Sequence, residues 1–260
     1  MNAVLRPAGF TLLAIAATWA VLAIMAPLNA ALAPATCTTT HCFCENPRIG
    51  SLMLQPANSW SSFGYVFVGF VLMRDARKRR GTTAFPSEGA IMFGIGAITV
   101  GVGSVLLHAT LTLWGQFADV LGMYLVSGFS LVYAIAKITR LDRGKAVLLY
   151  ILVCAVLVAI LLSAPEVRRW LFFVVLFTAL TLEIGFARKL RHGVILRYLL
   201  LGMAAKAVAF GIWNLDQSRI LCAPDSLLQG HAVWHVLGAV SLWLTYCYYR
   251  SEQPHSAITP

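Results

Sequence analysis

Charge is what this chain has little of. Asp, Glu, Lys and Arg make up 12% of its 260 residues, about half the roughly 25% typical of a soluble domain. That shortage excludes an ordinary water-facing surface wrapped around one core. Acidic residues are the scarcer kind, at Asp+Glu 10 against Lys+Arg 20. Polar stretches of domain size are missing as well, so no separate soluble domain exists beside the apolar runs. The chain reads as one all-α membrane domain, because a segment in lipid must satisfy its own backbone hydrogen bonds.

The apolar runs are many. A hydrocarbon core of about 30 Å needs roughly 20 residues of helix, and runs near that length fall at 9–27, 58–73, 88–109, 117–137, 146–163, 169–187, 195–214 and 230–249. The expected architecture is a polytopic bundle with a seven-helix core over 58–250. An N-terminal helix or signal segment over 1–33, an outward loop over 34–57 and a cytoplasmic tail over 251–260 complete it. Arg6, the apolar stretch and Ala31-Leu32-Ala33 resemble a secretory signal with a small-residue cleavage site. Pro34 just after the cut and the length of the stretch favour a retained helix instead. In the span 88–109, Gly94, Gly96, Gly101 and Gly103 allow close helix approach, which places that helix at the centre.

The positive balance records topology. Arg74, Arg77, Lys78, Arg79 and Arg80 share one short loop, Lys137, Arg140, Arg143 and Lys145 the next, and Arg188, Lys189, Arg191 and Arg197 the third. These alternate loops are the cytoplasmic ones by the positive-inside bias, and Arg168 and Arg169 at an outward loop depart from it. No basic surface interleaved with aromatics exists for nucleic acid. Cys37, Cys42, Cys44 and Cys222 all fall on the outward side, where disulfides persist; four cysteines allow three pairings, and the pattern chooses none. A zinc site from His41, Cys42 and Cys44 is the rival use. Cys154 and Cys247 lie within spans as packing residues.

Ionisable groups within spans are costly and usually functional. His41, His192 and His255 lie in polar segments. His108 ends the span 88–109 on its outward side, and His231 and His235 begin the last span on that same side. Their i, i+4 spacing puts the last two on one helix face. Three imidazoles at one depth, with a fourth position for water, match a catalytic zinc site. Asp119 opens the next span outside, and Asp216 closes another in Trp213-Asn214-Leu215-Asp216. Ser104 precedes His108 by one turn. A carboxylate beside an activated water takes its proton and a hydroxyl stabilises an oxyanion; the plainer roles are helix caps for Asp119 and Asp216 and packing for Ser104. Lys206 and Glu183, two further charges in spans, are expected to lie outside this site, with Lys206 reaching toward an interface.

Taken together, Ser104-Val105-Leu106-Leu107-His108 with Asp119, Trp213-Asn214-Leu215-Asp216, and His231-Ala232-Val233-Trp234-His235 resemble the signature of the alkaline ceramidases over about residues 42–250. That family belongs to the wider CREST group of seven-helix membrane hydrolases and receptors. The resemblance implies zinc on His108, His231 and His235, Asp119 as acid and base, Ser104 at the oxyanion, and Trp213 and Asp216 as structural neighbours. The implied reaction cleaves the amide of a ceramide-like membrane lipid into a sphingoid base and a fatty acid, on the extracytoplasmic side. It also implies a Cys44–Cys222 disulfide and an outer calcium loop at Cys44-Glu45-Asn46. Cys42 and Asn58 stand where the family has acidic residues, and calcium needs several hard oxygen donors. Glu45 alone supports weak or no calcium binding, and Cys42 is left to pair with Cys37. Rival readings are a receptor of the same fold with structural zinc, a bis-histidine haem carrier, and a serine hydrolase built on Ser104, His108 and Asp119.

Overall fold

A computed structural model describes residues 2–29, 31–36, 38 and 43–254. It contains eight α-helices among these residues: α1 (Asn2–Asn29), α2 (Pro56–Lys78), α3 (Ser87–Thr110), α4 (Leu113–Thr139), α5 (Arg143–Ser163), α6 (Arg168–Gly185), α7 (Leu196–Gln217) and α8 (Gly230–Arg250). The only β pairing among them is an isolated bridge between Pro34 and Thr112. Cys37, His41, Cys42 and His255 lie outside the described residues, and so do the Cys37–Cys42 pairing and the His41 zinc site.

Five helices, α1, α3, α4, α5 and α7, are long and apolar enough to cross a membrane, which fits an integral membrane protein. The other three expected spans form helices too, but polar residues dilute them. Asn58, Ser59, Ser61 and Ser62 open α2, Arg168, Arg169 and Glu183 lie in α6, and His231 and His235 in α8. Most of these side chains are buried among neighbouring helices, where a polar group finds partners that lipid lacks.

Six helices form an incomplete ring. Going round it, α7 packs on α8, α8 on α2, α2 on α3, α3 on α4, and α4 on α6. The ring is open between α6 and α7, which meet mainly through Phe173–Phe210 at 5.1 Å and Arg169 over Trp213 at 5.4 Å. Helix α5 lies outside α4, and α1 lies against α2 and α3.

The glycines of α3 explain how tightly it is wedged. A Cβ on Gly101 would stand 2.8 Å from the Ser62 carbonyl oxygen of α2, and one on Gly94 would stand 2.9 Å from the Gly69 oxygen. On the other face a Cβ at Gly96 would meet Val126 of α4 at 3.0 Å, and at Gly103 it would overlap the Ala118 carbonyl. One glycine pair spaced by seven therefore faces α2 and the other faces α4, a close-contact arrangement typical of helices packed in lipid.

The bundle is fastened at both ends. At one end, Arg191 donates to Glu183 at 2.7 Å and to Glu252 at 2.7 Å, and Lys137 pairs with Glu252 as well. Burial works against the Arg191 charge, but these carboxylates outweigh it and hold its pKa up. At the other end Cys44 and Cys222 form a disulfide across 178 residues, and the backbone of Ala35 and Leu113 joins the 33–35 segment to the α3–α4 turn. Leu111 makes that turn in the left-handed region, at φ 51, so α4 folds straight back along α3.

Candidate metal centre and cavity

Two helices deliver the histidines. His108 comes from the last turn of α3, and His231 and His235 from the first two turns of α8. One nitrogen of each lies within 4.8 Å of those of the others, and the ring centroids are 4.5 to 5.1 Å apart. All three rings are buried. Phe43, from the outer loop, covers His108 and His231 at 4.4 and 4.7 Å. A macrocycle has no space between rings this close, which removes the haem reading.

The far side of each ring sets which nitrogen faces inward. His108 Nδ1 donates to Gln55 Oε1 at 2.8 Å, leaving its Nε2 lone pair for the centre. His235 Nδ1 donates to the Asn58 carbonyl at 3.1 Å, with the Ser61 and Ser62 hydroxyl oxygens at 2.9 and 3.1 Å. Those two hydroxyls spend their own hydrogens on the same Asn58 carbonyl, so they accept from the ring. His231 Nδ1 is buried and has no hydrogen-bond partner among the described residues. Two inward lone pairs and one orphaned nitrogen form a donor set that fits a metal ion.

Gln55 thus orients the His108 ring, a role that sequence patterning did not expose. Its amide also donates to the Glu45 carbonyl at 2.7 Å, and its backbone N–H donates to His108 O at 3.0 Å. Exchanging Gln55 for leucine should weaken metal binding about 10- to 100-fold, the usual effect of losing such support. Competition against a chelator of known affinity measures it, and an unchanged affinity would remove Gln55 from the centre.

Ser104 places its Oγ 3.2 Å from His235 Nε2 and faces Asp119. With His108 bound to Gln55 instead, the Ser104–His108–Asp119 relay of a serine hydrolase does not form. Asp119 lies on the second turn of α4, not at its N-cap; Thr112 caps that helix through Gly115 N at 3.3 Å. The Asp119 carboxylate also faces Arg168 and Arg169, the two positives that break the loop-charge pattern. Asp216 is a cap, but for a neighbouring helix: its Oδ1 accepts from Gly230 N of α8 at 3.0 Å, with the Cys44 and His231 N–H groups turned toward it. Trp213 stacks near His231 at 6.4 Å and Trp234 at 5.6 Å.

Glu45 serves the fold. Its two oxygens accept from Ala57 N at 2.8 Å and Asn58 N at 2.9 Å, capping α2 where a carboxylate complements the helix dipole. Burial raises its pKa, and those two N–H groups oppose the rise. The only three-residue metal cluster among the described residues is the histidine one.

Below the histidines a cavity runs down the ring interior. Ser104, Asp119, His231 and His235 line its outer part, and Leu180, Glu183 and Tyr249 its inner part, with mostly apolar walls between. Lys206, expected away from this site, lines the same cavity. It packs over Trp234 at 4.1 Å, while Glu183 is held by Arg191 and Tyr248. A long, mostly apolar cavity that ends at polar groups suits a lipid chain with a reactive head.

No curated protein matches this sequence. A protein-family model does: the model named Ceramidase matches residues 35–256, a stretch that contains the histidine centre, Ser104, Asp119 and the whole cavity. Its span, covering most of the chain, shows that this protein belongs to the ceramidase family, a family of hydrolases.

Proposed function

We propose that this protein is a zinc-dependent intramembrane hydrolase that cleaves the amide of a ceramide-like lipid into a sphingoid base and a fatty acid. The observation that carries the reading is the convergence of three buried imidazoles at the head of a lipid-shaped cavity. A zinc ion on His108, His231 and His235 would supply Lewis acidity and an activated water near neutral pH.

The chain's own groups do the rest. Asp119 accepts the water proton and passes it to the departing amine, a role open to a carboxylate within reach of both. Ser104 donates its hydroxyl hydrogen to the developing oxyanion; in the structure its Oγ stands 3.2 Å from His235 Nε2, the lone pair a metal would take. Phe43 closes the outer end over the rings and keeps bulk water out, which strengthens each polar contact inside. The lipid enters sideways between α6 and α7. Calcium is not needed in this scheme, because Glu45 is committed to the N-terminus of α2.

The three Arg- and Lys-rich loops lie at the end opposite the histidines, so the positive-inside bias turns the centre toward the extracytoplasmic side. Purified protein given ceramide should release fatty acid, lose that activity on metal stripping, and regain it with zinc. Release that persists at full rate in stripped protein refutes the assignment.

A further inference from the structure

Three cations on the cavity wall lack a carboxylate within ion-pair distance. Among the described residues, the ion pairs at 4.0 Å or less involve Arg79, Lys137, Arg143, Lys145, Arg191 and Arg250. Arg168, Arg169 and Lys206 are not among them, yet all three line the cavity. Two of the three are held by aromatic faces. Lys206 stands over Trp234 at 4.1 Å, Trp234 packs on Trp213 at 5.6 Å, and Trp213 carries Arg169 at 5.4 Å. The Tyr65 hydroxyl joins Lys206 at Gly238, where a Cβ would collide with the hydroxyl and lie 3.4 Å from Nζ.

A cation at membrane depth is costly unless an anion or water answers it, and a ring face offsets only part of that cost. The cavity's own acids are occupied otherwise. Glu183 is bound by Arg191 and Tyr248, and Asp119 faces Ser104, Arg168 and Arg169. The one Asp119 charge stands against three cations before any metal is counted. Lys206 lies on α7, with His235 as an ionisable neighbour.

We propose that the Lys206 end of this cation–aromatic ladder is a head-group subsite for an anion. The lipid amide taken here carries a carboxylate or a phosphate, bound by Lys206 with the Tyr65 hydroxyl beside it as a further donor. This inference rests on the amidase reading and narrows its substrate. The acyl side of the amide is hydrocarbon, so the anion belongs to the amine-side fragment. A neutral ceramide leaves Lys206 unanswered.

The test uses the full-length, zinc-replete protein in nanodiscs of neutral phospholipid, with N-palmitoylsphingosine, its 1-phosphate and N-palmitoylserine compared for palmitate release. One of the two anionic amides should exceed the neutral one in kcat/KM by about tenfold, the scale of one charge-assisted contact; which one it is separates phosphate from carboxylate. Lys206→Met should lower that ratio about tenfold, and Lys206→Arg should keep most of it. A ceramide rate equal to or above both anionic rates overturns the proposal, and so does a ratio unmoved by Lys206→Met. Retention of N-palmitoylserine over ceramide by His235→Ala protein gives a readout that needs no turnover. If no amide is cleaved but the anionic lipid is retained, the amidase reading falls and the subsite stands; cleavage of ceramide alone sinks only the subsite.

Discussion

Replacing His235 with alanine should remove the bound metal and the lipid amidase activity in one step. The imidazole Nε2 points at the centre while Nδ1 is fixed by the Asn58 carbonyl, with the hydroxyls of Ser61 and Ser62 beside it. Metal analysis should fall from about one zinc per chain to near none, since three protein ligands are the minimum of such a site. The rate should fall by about 10³- to 10⁴-fold, because the ion supplies several kcal/mol of transition-state stabilisation and each 1.36 kcal/mol is a factor of ten. The fold should survive. Ser61 and Ser62 keep donating to Asn58 O at 3.0 and 2.7 Å, so the start of α2 is not left unsatisfied. His192→Ala, at an exposed histidine far along the chain, is the matched control. Turnover that survives in metal-free His235→Ala protein would end the metallo-hydrolase proposal.

Asp119→Asn separates proton transfer from metal binding. The amide has nearly the carboxylate's shape and still faces Ser104, but it cannot accept a proton. Zinc content should stay at the wild-type level while kcat falls by about 10²- to 10⁴-fold, the range for a positioned general base. KM should change little, because the apolar walls that hold the chain are untouched. Activity within a few-fold of wild type would show that another group moves the proton.

What could be read in advance follows the geometry of a membrane helix. Depth in the bilayer maps directly onto position along a span, so His108, His231 and His235 could be set at one level from chain position alone. The i, i+4 spacing fixed one face of α8, and the glycines of α3 marked a helix that others approach closely. Rotation of one helix about its axis relative to another is not written in that way. Gln55 and the Ser61–Ser62 pair therefore carry no signal in the sequence, although they contact two of the three imidazoles.

Lys206 was misjudged for a related reason. Its mid-helix position suggested reaching toward an interface, but the α7 rotation turns it onto Trp234 inside the cavity. Asp216 was read as a helix cap, and the structure makes it the cap of α8, fourteen residues later, because the α7–α8 loop folds back over both. Arg168 and Arg169 stood out only as a departure from the charge pattern, and the reason is their place beside Asp119. The residue pattern left three cysteine pairings open; the loop path selects Cys44–Cys222, with Cα atoms 5.6 Å apart.

That bridge bears on how the protein matures. The 43–45 segment lies near the front of the chain, and the cysteine it needs is made 178 residues later. Throughout synthesis of the intervening helices Cys44 lacks the cysteine it pairs with. An oxidising surrounding must then join two loops that only the finished ring brings together. Protein produced without an oxidant would keep the three histidines and every helix, yet hold the loop over them by hydrogen bonds and packing alone.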